Sequence, residues 1–95
     1  MARKRNPVAI AAGKLILAIQ RECAKAISDD DAVAGEKVLY RAHTLLQASQ
    51  SSSVISLLDG RTVVEYLDAE WVRTHASVEP SIHAFVDALN TGEGN

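Results

Sequence analysis

The sequence has one cysteine, Cys23, in 95 residues. A lone thiol makes no disulfide framework and no thiolate zinc cage, and it suits a reducing, cytoplasmic setting. Aromatic residues are equally scarce, with Tyr40, Tyr66, Trp71 and Phe85 making up the whole set. Any core must therefore be built from Ala, Val, Ile and Leu. These side chains suit close helix packing, and alanine has the best intrinsic helix propensity. No apolar run approaches the roughly 18 residues that a membrane span needs. There is no nucleophile elbow, no P-loop and no dinucleotide fingerprint. Without residues to which catalytic roles can be given, the chain reads as a non-enzyme with no catalytic residue, no cofactor and no metal.

The net charge of −2 gives no strong field towards nucleic acid or anionic lipid. The charge is uneven, however. Arg3, Lys4 and Arg5 hold three of the ten basic residues, which leaves seven against twelve acids elsewhere, or −5. This cluster, followed by the apolar residues from Val8 to Ile19, has the outline of a secretory signal. Lys14 interrupts the apolar stretch, and the pattern runs on beyond it as an amphipathic helix. The segment therefore reads as mature protein, with residues 1–6 forming a basic arm.

What the chain does have is helical periodicity over most of its length. Asn6 and Pro7 form a helix start, a capping side chain followed by proline at the first helical position. Val8, Ala12, Leu15, Ile16, Ile19, Cys23, Ala26 and Ile27 then recur at three- and four-residue steps as an apolar stripe. Ile10, Gly13, Leu17 and Ala24 make a second stripe on another side. The carboxylates at residues 29–31 favour the start of a second helix, which the pattern carries over residues 32–49. Its inner face holds Ala34, Val38, Ala42, Leu45, Leu46 and Ser49, and Gly35 weakens its first turn.

Residues 50–53 form a polar break, after which two structures compete for residues 54–67. Asp59-Gly60 between apolar runs is a hairpin signal, which would make the fold α+β. Alternatively Ser53 caps a short helix, Gly60 stops it, and Thr62 and Glu65 form a capping box for the next. The helical reading is preferred, because neither run alternates cleanly and a lone hairpin is marginal. Asp68 then caps a helix carrying Trp71 and Val72. A last helix opens over residues 77–80 and buries Val78, Ile82, Phe85, Val86 and Leu89. Residues 91–95 form a Gly-rich, flexible tail. The expected fold is all-α: a single domain over residues 7–90, a small irregular bundle of four to five helices with the two longer N-terminal helices packed antiparallel.

Three groups of residues carry candidate functions. His75, Glu79 and His83 are spaced by fours and would align as metal ligands on one continuous helix, but Pro80 and the cap at Ser77 place a boundary between the histidines. The segment from Gln50 to Arg61 resembles the second helix of repressor-type helix-turn-helix proteins, with Val54, Leu57, Leu58, Gly60 and Arg61 in matching places. That resemblance covers about twelve residues and implies a small nucleic-acid-binding regulator. Its contacts would come from Arg3, Lys4, Arg5, Ser53, Ser56 and Arg61. The segment between Ser53 and Asp59 contains no Lys or Arg, so phosphate contacts would fall to Arg61 and the basic arm.

Protein–protein interaction is the preferred reading. A first helix with two apolar sides needs more neighbours than a short chain supplies, and the uncovered side becomes a partner surface. Ile10, Gly13 and Leu17 are the candidates there, with Tyr66 and Trp71 as aromatic anchors. A second copy is the simplest partner, so a homodimer is expected.

Overall fold

A computed structural model describes residues 6–91. Among these residues there are six α-helices and no strand: α1 (Pro7–Cys23), α2 (Asp29–Gln50), α3 (Val54–Leu58), α4 (Val63–Leu67), α5 (Ala69–Thr74) and α6 (Glu79–Thr91). A 3-10 turn over Ala76–Val78 leads into α6. The fold is all-α, and none of its helices is long and apolar enough to cross a membrane. The basic arm, apart from Asn6, and the end of the tail lie outside the described residues.

The two long helices pack along one another and run antiparallel. Asn6 caps α1 by accepting hydrogen bonds from the backbone N–H groups of Val8 and Ala9. Its Nδ2 also donates to the carbonyl of Ser49 at 2.9 Å, tying the start of α1 to the end of α2. At the other end the helices meet at Gly35, where an added Cβ would stand 2.8 Å from Cys23 Sγ. Gly35 is buried and admits the neighbouring helix, a role that reading it as a weak point did not foresee.

The main apolar stripe of α1 forms the floor of the core. Leu15, Ile19, Val38, Leu45, Leu67, Ile82 and Phe85 are fully enclosed, drawn from α1, α2, α4 and α6. Burying a side chain of this kind contributes about 1.5–3 kcal/mol. The stripe ends sooner than periodicity predicts. The chain leaves the helix after Cys23 through tight turns, Lys25 N–H to Glu22 O and Ala26 N–H to Cys23 O. Ile27 is thereby left 95 % exposed. Ser28 then caps α2 by accepting from the Asp31 N–H, and Asp29, Asp30 and Asp31 fill the first turn. Carboxylates there complement the helix dipole, which is why α2 starts earlier than its apolar pattern.

Residues 54–67 form two short helices, and the hairpin alternative is not adopted. Thr62 accepts from the Glu65 N–H while Glu65 accepts from the Thr62 N–H, completing the capping box. Asp59 and Gly60 both take positive φ, 51° and 84°, in the turn between the helices. Asp68 caps α5 by accepting from the N–H groups of Glu70 and Trp71.

Candidate interaction surfaces

The second stripe of α1 lies on the outside of the molecule. Ile10 is 43 % and Leu17 53 % exposed, although both are large aliphatic side chains. Between them an added Cβ on Gly13 would meet nothing within 4 Å. At about 100° per residue these positions stand opposite the buried Val8–Leu15–Ile19 side, so the helix separates them from the core. Ala24, the last member of the stripe, is exposed just past the helix end.

A second exposed face runs along α2 and meets α4. Val33, Glu36, Lys37, Tyr40, Arg41 and Tyr66 line a shallow groove there. Arg41 Nη1 donates to the carbonyls of Tyr66 and Leu67 at 3.1 and 3.2 Å, satisfying the end of α4. The Arg61 guanidinium sits 5.3 Å from the centre of the Tyr66 ring. Tyr66 is thus half-buried between two cations. Tyr40 stands 74 % exposed at the groove's edge. Periodicity singles out only the inner face of α2, so Tyr40 is not among the candidates it marks.

Trp71 belongs to the interior. It is 4 % exposed and its ring stacks on His75, with centroids 4.1 Å apart. It therefore offers no surface for a partner to grip. Its Nε1 is a buried donor without an acceptor, held near Gly35 and Cys23.

His75 links α5 to the start of α2. Its Nδ1 lies 2.8 Å from the Trp71 carbonyl oxygen, and its Nε2 lies 3.4 Å from Asp31 Oδ1. His83 and Glu79 are both exposed on α6. The three residues are not brought together, and no group of three or more His, Cys, Asp or Glu that could hold a metal occurs among the described residues. Cys23 is half-covered, and burial first, then the carboxylates of Asp31, Glu36 and Glu22, push its thiol above the usual value. A thiol held neutral in this way is a poor nucleophile.

The residues of the helix-turn-helix resemblance have local partners. The helix α3 spans five residues, about 7.5 Å at 1.5 Å per residue. Arg61 Nε donates to the Leu58 carbonyl at 3.0 Å and its Nη2 to the Leu57 carbonyl at 3.4 Å, closing the end of that helix. Ser53 shares a hydrogen bond with Ser51 at 2.8 Å, and Ser56 is exposed. Arg3, Lys4 and Arg5 lie outside the described residues. In comparisons with known proteins, no family model, no curated protein and no solved structure matches the chain.

Proposed function

We propose that the chain is a non-enzymatic protein–protein interaction module that acts by presenting helical surfaces, with a second copy of itself as its first partner. The observation that carries this reading is that both long helices keep exposed apolar side chains on the side turned away from the core. Ile10 and Leu17 stand exposed on either side of an open Gly13, on the helix whose opposite side floors the core. Isolated exposed apolar residues need no explanation, but an ordered row along one helix marks a contact surface. A second row on α2 repeats the situation, with Val33 and Tyr40 exposed.

Light scattering on a sizing column, without and with a short mixed-sequence DNA duplex at low salt, tests this reading against the regulator alternative. The expected result is a particle of two chains whose elution ignores the duplex. A single-chain mass at every concentration removes the homodimer. Passage of the protein into a DNA-containing peak, reversed by salt, replaces the reading with a nucleic-acid-binding one.

A further inference from the structure

On the side of α2 turned away from the core, Asp30, Val33, Lys37 and Tyr40 recur at steps of three and four and so share one face. Val33 and Tyr40 are 50 % and 74 % exposed, and Ile27, one residue before the cap Ser28, is 95 % exposed. Asp30 and Lys37 are exposed and make no ion pair among the described residues. Along the chain the face therefore reads apolar, acidic, apolar, basic, aromatic.

We infer that this face is a two-fold interface with a second copy of the chain, resting on the association reading above. The order of side chains sets the register. An antiparallel copy centred beside Val33 lays Ile27 against Tyr40 and Asp30 against Lys37, and the two-fold repeats both contacts. Asp30 and Lys37 lie seven residues apart, about 10 Å along the helix, on the same border of the stripe. An antiparallel two-fold brings like borders together, so two reciprocal ion pairs close across the axis. Glu36 and Asp29 lie on the other border, where their mutual repulsion limits the affinity.

The α1 face lacks this complementarity towards itself. Antiparallel pairing about Gly13 would match Ile10 with Leu17 but bring the two Lys14 side chains together, with Arg21 nearby. The only carboxylate of α1, Glu22, is half-buried and bonded to Lys25 at 3.1 Å, so it cannot offset them.

Sedimentation equilibrium of the full chain at low salt, across micromolar to millimolar concentrations, tests the assignment with helicity followed by circular dichroism. Asp30→Lys and Lys37→Asp each weaken the dimer about ten-fold, and the double variant returns it towards wild type. Tyr40→Ser weakens it without touching charge, and Leu17→Glu leaves it unchanged. If the double variant stays as weak as the single ones, or if Leu17→Glu alone dissociates the dimer, the α2 interface is overturned while self-association stands. A wild-type chain that is monomeric throughout overturns self-association and the interface together.

Discussion

At the scale of single residues, the structure turns on a few close contacts that residue type alone does not announce. Gly35 is the clearest. Alanine there would gain about 1 kcal/mol of helix propensity over glycine. The new methyl would, however, collide with Cys23 Sγ. Gly35→Ala is therefore expected to be neutral or destabilising in the wild type and stabilising by about 1 kcal/mol in a Cys23→Ala background. A double-mutant cycle in urea measures that coupling. The sequence offers a glycine near the start of a helix and a cysteine near the end of another. Nothing in their spacing says that they touch.

Glu22 supports a second residue-scale prediction. Hydrogen bonding from Ser77, then from Lys25, holds its carboxyl below the usual value of 4.5. A group whose folded value is lowered contributes stability above its unfolded value and loses it as pH falls through the folded value. Ser77→Ala should therefore lower the thermal midpoint at neutral pH, and the two proteins should converge as acidification passes through the lowered value of Glu22. A constant difference across that range would show that Ser77 acts otherwise.

At the scale of elements, most of the fold was legible in the sequence because four of its helices open on capping side chains, whereas Ser53, expected to cap α3, makes no such bond. Asn6, Ser28, Thr62 with Glu65, and Asp68 all make their capping hydrogen bonds. Where legibility failed, one signal served two structures. Asp59-Gly60 supplies the positive φ values that a tight hairpin turn needs, and it uses them here to leave one short helix and enter another. The capping box decides the matter at its own site, and Thr62→Ala should cost about 1 kcal/mol, seen as a thermal midpoint roughly 4–8 °C lower. The end of α1 was misplaced for a different reason. Apolar periodicity continues through Ala26 and Ile27, but helix ends follow from which backbone groups find partners, and the chain closes there with tighter turns. The exposed Ile27 left behind matters more to the candidate surface than to the fold.

At the scale of the whole molecule, the core uses one side of α1 and one side of α2. Their outer sides remain available. The α1 candidates Ile10, Gly13 and Leu17 were readable as a second stripe because every outer member is small or aliphatic. The α2 face was not, because Asp30 and Lys37 alternate with Val33 and Tyr40 and so resemble an ordinary solvated surface. Trp71 shows the converse error, an aromatic in a short helix that the fold buries beneath His75. Leu17→Glu should leave helicity and thermal stability nearly unchanged, within about 0.5 kcal/mol, because the side chain is half in solvent and opposite the core. Loss of structure on that substitution would place Leu17 in the core and remove α1 as a surface.

The most direct test of the proposed association is a dilution series followed by amide chemical shifts in two-dimensional nuclear magnetic resonance. The account predicts concentration-dependent shifts gathered on residues 27–40, with the outer side of α1 and the core around Leu15 and Phe85 unchanged. Spectra that stay the same from micromolar to millimolar protein would contradict it.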